Sequence, residues 1–214
     1  MIPASSLLAF IVASVLLILI PGPSVLFAIG RALSLGRRAA VLSVLGNAAG
    51  TYVQVVAVSL GLGLLLTQSV VLMTIVKIAG ALFLVYLGIQ AIRHRNDTLD
   101  AEAAARPRGT LRTIGEGFVV GVSNPKTSVF FLAILPQFVD ASVGTPLGLQ
   151  MLLLGTIFVG LAVILDSCYA FAAGAARRWF SGSPKRLAGL GAVGGVTMIG
   201  LGVGLAATGV AEAK

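Results

Sequence analysis

Two short stretches of this sequence carry its chemistry. "GPSVLFAI" at residues 22–29 and "NPKTSVFFLAI" at residues 124–134 each set a proline inside an apolar run, and in the second a lysine follows. Proline removes a backbone N–H and crowds the carbonyl four residues back, which costs a helix interior about 3 kcal/mol. Past such a break the chain can restart as a helix. Asn124 is a capping residue and Pro125 suits the first helical position; Gly22, Pro23 and Ser24 can serve in the same way. A restarted helix presents N–H donors without intrahelical partners at the positive end of its dipole, a setting suited to a carboxylate. Lys126 adds a full cation at that point, so it is expected to pair with a ligand, pair with a protein carboxylate, or lose its proton. Asp166, in "AVILDSCYAF", reads as a cavity-facing carboxylate able to take a proton, with a structural partner for Lys or Arg as the alternative. Ser43, Asn47, Thr51 and Gln54, spaced four, four and three apart, make one helix face polar. That face can line a path or supply interhelical hydrogen bonds. Lys77 fits either a functional cation or a side chain reaching for a membrane interface.

The elements that hold these residues are set by composition. Hydrophobic residues make up 57% of the 214, charged residues 10%, and the mean hydropathy is +1.04, which excludes an ordinary soluble domain. A bilayer core takes about 20 apolar residues per helix. Six such stretches occur, at residues 6–29, 40–66, 70–92, 114–139, 147–173 and 187–210. Barrel strands would be shorter and alternating, so an all-α integral membrane protein of six transmembrane helices is predicted, the first and fourth of them broken. The leading "MIPASS" has no basic residue and no small-residue cleavage site follows before Arg31, so the first stretch is read as retained.

Charge sets the expected orientation. Of the fifteen Lys and Arg, twelve fall in alternate loops: Arg31, Arg37 and Arg38; Arg93, Arg95, Arg106, Arg108 and Arg112; Arg177, Arg178, Lys185 and Arg186. The loops "TQS" and "DASVGTP" contain none, so the positive-inside bias puts both termini outside the cytoplasm. The net charge of +8 suits an anionic leaflet and calls for no nucleic-acid partner. A polar linker, residues 93–113, divides one transport-sized domain into two three-helix units, 1–92 and 114–214. Three crossings reverse direction, so a likeness between the units is an inverted repeat, and each unit opens with a proline-broken helix. Both restarted N-termini are then aimed at the middle of the membrane from opposite sides.

Other chemistries are poorly supplied. Cys168 is the single cysteine, which excludes a dithiol carrier. His94 is the single histidine and sits in an Arg-rich loop, so no metal site is expected. Neither a nucleophile with a base nor a cofactor motif is recognisable, and no enzyme is expected. The glycines of "GNAAG", "GFVVG" and "GAVGG" suit close helix packing, within the chain or in a homodimer, better than phosphate binding.

The sequence resembles the LysE/RhtB amino-acid exporters through "PGPSVL", the basic "SLGRRA", "GFVVGVSNPKTSVFFLAILPQF" from Gly117, "KIAGALFLVYLGIQAI" from Lys77, and the aspartate of "LDSCYAFAAG". The resemblance extends over nearly the whole chain, and the "NPK" block is its most specific part. It implies a bacterial inner-membrane exporter of an amino acid or derivative, driven by protons and needing no cofactor. Ser24 departs from the asparagine many relatives place after "PGP". Combined with the residues above, the expected site binds substrate with Gly22, Pro23, Ser24, Asn47, Asn124, Pro125 and Lys126. Asp166 would carry the coupling proton, and Lys77 and Gln54 are additional candidates. The alternatives are a membrane scaffold whose breaks are packing kinks, and an exporter of a different small solute.

Overall fold

A computed structural model describes residues 2–62, 70–93, 109–176 and 183–212. Its elements are helical, with no strand among the described residues: α1 (Ala4–Leu19), α2 (Pro23–Ser34), α3 (Arg37–Ala57), α4 (Val70–Arg93), α5 (Thr110–Val122), α6 (Pro125–Phe138), α7 (Leu147–Ala175) and α8 (Pro184–Glu212). The helices α3, extended to Gly61, and α7 are each long and apolar enough to cross a bilayer unbroken. Two further pairs meet that requirement jointly but bend at a break: α1 with α2 by 51°, and α5 with α6 by 41°. Shorter apolar segments, Lys77–Gln90 and Ala192–Ala207, run through α4 and α8.

Local sequence explains the breaks. Helix α1 stops where Pro21 and Pro23 cannot donate to the preceding turn, and Ile20 closes it with a bond from its N–H to the Leu17 carbonyl at 3.2 Å. Helix α6 starts at Pro125, widens to a π turn over Phe130–Ile134 and tightens to a 3-10 turn over Leu135–Phe138. Pro136 lies in that last turn and lacks the N–H that a regular α register requires.

Two boundaries differ from expectation. Arg31 lies inside α2 rather than in a loop, because the restarted helix continues through Ser34. Helix α5 begins at Thr110, inside the stretch assigned to the linker, while residues 94–108, His94 among them, lie outside the described residues, as do the three of "TQS". The basic-free "DASVGTP" segment is a short 3-10 turn and bend tied to α7 by the fully buried Gln150. Its amide donates to the carbonyls of Asp140 and Thr145, both at 2.8 Å. There the Ser142 side chain and backbone N–H hold the Asp140 carboxyl below its ordinary range.

Helices pack through glycine. Gly46 and Gly50 of α3 lie against the backbone of α5, and Gly117 and Gly121 of α5 lie against the backbone of Ser43 and Asn47 on α3. A Cβ on any of the four would collide with main chain. Gly88 of α4 and Gly195 of α8 face each other in the same manner, and Gly202 sits on Ala81. Between helices in lipid the hydrophobic driving force is weak, so close backbone approach supplies the dispersion contacts instead. These glycine faces are therefore taken up within the chain. The largest apolar core joins α1, α6 and α7 through Phe10, Phe130, Phe131 and Phe158. Ring centroids are 4.9 Å apart for Phe131 and Phe158, and 5.4 Å for Phe10 and Phe138.

Candidate functional site

The two breaks meet. Asn124, at the head of α6, accepts the Lys126 backbone N–H on Oδ1 at 3.1 Å, so its side chain caps the restarted helix. Its other side-chain atom, Nδ2, donates to Ser24 Oγ at 2.6 Å. Ser24 Oγ in turn donates to Asn47 Oδ1 at 3.0 Å. One continuous chain of hydrogen bonds thus joins the second break, the first break and the polar face of α3.

Around this chain lies a small cavity of about 20 Å³, lined by Ser24, Asn47, Thr51, Asn124, Lys126, Thr127 and Asp166 with Ile18, Val25, Phe158 and Ala162. That volume admits a water molecule but no amino acid. Lys126 and Asp166 are each 4% exposed, and a cation from α6 and a carboxylate from α7 line one cavity. Placing either charge at such depth costs at least about 2.5–3.5 kcal/mol on insertion scales, which functional pairing must offset.

Lys126 is held in a way its sequence did not suggest. A ligand, a protein carboxylate or loss of its proton was expected; in the structure Nζ donates to the carbonyls of Ile20 at 2.9 Å and Leu17 at 3.2 Å, the orphan acceptors at the end of α1, while Asp166 lines the same cavity. The lysine stands beside the N-terminus of its own helix but at the C-terminus of another, where the dipole favours a cation. The expectation of open N–H donors past both breaks is likewise met on one side only. Gly22 has no side-chain cap, whereas the Lys126 N–H is occupied by Asn124.

The second break receives an analogous service from Gln54. Its Nε2 lies 3.0 Å from the Gly121 carbonyl, 2.9 Å from that of Val122 and 3.3 Å from that of Asn124, while Oε1 accepts the Thr127 hydroxyl at 2.9 Å. The polar stripe of α3 therefore divides its work: Asn47 and Thr51 face the cavity, and Gln54 satisfies the freed carbonyls of α5. Ser43 is fully buried beneath Gly117.

Gly22, Pro23, Ser24, Asn47, Asn124, Pro125, Lys126 and Asp166 thus come together around the breaks and the cavity. Lys77 does not line the cavity, and at 2% exposure its side chain is not laid out toward an interface either. Several participants were missed. Thr127 was signalled only by its place after Lys126, and Phe158 and Ala162 by nothing beyond the period of an apolar helix. Tyr169 of α7 donates to the Leu19 carbonyl at 2.8 Å, a second side chain serving the end of α1. Arg31, counted above as a loop cation, is 5% exposed and bonds to Glu116 at 2.7 Å. Glu116 also bonds to Arg112, at 3.2 Å. Among the described residues no cluster of His, Cys, Asp or Glu is placed to hold a metal.

Comparison with known proteins gives the family. The family model of the LysE type translocator matches residues 15–209. The chain belongs to the LysE family. It is 32% identical over 182 residues to the homoserine/homoserine lactone efflux protein of Salmonella typhimurium, covering 85% of this chain and 86% of that one. It is 28% identical over 185 residues to the leucine efflux protein of Enterobacter, with 85% of each chain covered. The membrane protein YrhP of Bacillus subtilis is 28% identical over 206 residues, 92% of this chain and 97% of its own. No solved structure matches the chain. As a LysE family member this protein is a membrane transporter and not an enzyme.

Proposed function

We propose that this LysE family protein exports an amino acid or amino-acid derivative from the bacterial cytoplasm across the inner membrane, in antiport with protons and by alternating access. The observation that carries the reading is the hydrogen-bonded junction of both breaks, Asn124 to Ser24 to Asn47, on a cavity that also holds Lys126 and Asp166. A substrate carboxylate is directed to the uncapped N-terminus at Gly22–Ser24 and to Lys126. The substrate ammonium and the coupling proton compete for Asp166. The relatives named for homoserine, threonine and leucine efflux support an amino-acid substrate.

Six membrane spans in two inverted three-helix units account for how the helices pair. Broken helix α1–α2 corresponds to α5–α6, α3 to α7 and α4 to α8. Under that exchange the packing of α3 on α5 maps onto that of α7 on α1, and the pairs α3 with α7 and α4 with α8 map onto themselves. The positive-inside bias places both termini outside the cytoplasm. The cavity holds less than a substrate, so the bundle must part to load. Reconstitution in liposomes tests the reading: under an imposed pH gradient the protein is expected to move at least one member of an amino-acid panel. Asp166→Asn should remove the dependence on the gradient, with counterflow exchange retained. Protein that moves no solute would mark a scaffold, and gradient-driven efflux that survives Asp166→Asn would remove that aspartate from the coupling role.

A further inference from the structure

The faces of α2 and α5 that touch at Ser24 and Asn124 touch a second time. Ser24, Phe27 and Arg31 follow each other at spacings of three and four on α2, and Glu116, Val120 and Asn124 at four and four on α5 and its end, so each set lies on one face. At the cavity the faces are joined by the 2.6 Å bond from Asn124 to Ser24. Seven residues along α2, about 10 Å nearer the basic loops, they are joined by the 2.7 Å ion pair of Arg31 with Glu116. Between these two bonds lies Phe27, with the Arg31 guanidinium 4.8 Å above its ring.

We propose that Arg31 and Glu116 are a gating latch, closing the cavity on the side that carries Arg37, Arg38 and Arg112, and that the latch parts when a ligand passes between the cavity and that side. This rests on the alternating-access reading above. Residues 31 and 116 lie on either side of the linker, 85 positions apart, so the bond ties one three-helix unit to the other. The carboxylate has a second partner: Arg112, whose side chain is 68% exposed, holds the other oxygen at 3.2 Å. When α2 moves off, Glu116 keeps a guanidinium and meets water, which lowers the cost of stranding a charge in apolar surroundings. The far side is shut differently. There α1 and α6 bring Phe10, Phe130 and Phe138 together with Phe158, an apolar plug with no ion pair among its described contacts. A plug of rings parts by sliding, whereas a part-buried ion pair parts as water replaces one partner, so the two gates respond to different substitutions.

Access to the cavity can be read without reference to any substrate. In oriented membrane vesicles, a Thr51→Cys reporter on a Cys168→Ala background is labelled by a charged, membrane-impermeant thiosulfonate applied to one face at a time. Glu116→Gln is expected to raise the labelling rate about tenfold from the Arg112 side and to leave the opposite side unchanged. Glu116→Asp, which keeps the charge, should restore most of the protection, and Arg112→Ala should leave the reporter protected. Unchanged labelling in Glu116→Gln would overturn the latch. So would an equal gain from both faces, the mark of a loosened bundle, or failure of Glu116→Asp to restore any protection. Amino-acid efflux measured in vesicles of the unsubstituted protein separates the two proposals. Latch-dependent labelling without transport of any solute removes the transport reading alone, and normal efflux with labelling indifferent to Glu116 removes the latch alone.

Discussion

The two breaks solve one problem with different chemistry. Each leaves carbonyls at the end of its first half-helix with no turn to bond to, in surroundings where water does not reach them. At the end of α5 the acceptors are served by a neutral amide, Gln54, fixed on the neighbouring α3. At the end of α1 they are served by a charged amine, Lys126, supplied by the opposite break, together with the hydroxyl of Tyr169. The restarted ends differ in the reverse sense, since α6 carries its Asn124 cap and α2 carries no side-chain cap. The second break is thus self-contained, while the first depends on a cation that also faces the cavity and its aspartate. A ligand anion that draws Lys126 toward itself withdraws support from the end of α1 and leaves α5 undisturbed. Under the proposed alternating access, that asymmetry assigns the movement to the first break.

Removing the shared cation should have the largest effect. Lys126→Ala leaves the Leu17 and Ile20 carbonyls buried without their donor, each costing about 1–3 kcal/mol, and should abolish efflux. Lys126→Arg keeps the bonds to the carbonyls and should hold thermal stability in detergent near that of the parent while still impairing transport. Equal loss of stability in the two variants would break the comparison. Next comes Gln54→Leu, which withdraws the amide from the α5 carbonyls. It should cost about 1–3 kcal/mol of stability and slow transport at every substrate concentration, without altering proton dependence, because Gln54 does not line the cavity. A change in proton dependence would place the second break in the coupling path. The smallest effect is expected of Ser24→Ala, which severs the link between the breaks but strands no charge. A loss of about 1 kcal/mol, read as a several-fold rise in KM with little change in turnover, would sharpen the case that Ser24 positions substrate.

Much of the site was legible because it is made of residues that are costly in lipid. A proline deprives a membrane helix of a hydrogen bond wherever it sits, and Lys126 and Asp166 carry charge that lipid does not solvate, so sequence alone marks all of them as needing a partner. The spacing of Asn47, Thr51 and Gln54 showed a polar face, though which of them would meet the cavity depended on the rotation and height of α3 against α5. That placement is set by the reciprocal seating of Gly46, Gly50, Gly117 and Gly121, a contact between two helices that no single-helix pattern describes. Arg31 was misread because a basic residue near a span end usually belongs to the loop. Continuation of α2 to Ser34 and the reach of Glu116 across from α5 buried it instead.

By itself the sequence determined the solvent of this protein, the number of apolar stretches, the positions of both breaks and the charges that must be accommodated. These follow from transfer energies and backbone chemistry, which act residue by residue. Only the tertiary structure decided who accommodates whom: Lys126 on the carbonyls of α1, Gln54 on those of α5, Ser24 between Asn47 and Asn124, Arg31 on Glu116. Hydrogen-bond partners lie within about 3 Å of each other, and pairs 85 to 109 residues apart in the chain reach that distance only through the particular way the described helices seat against one another.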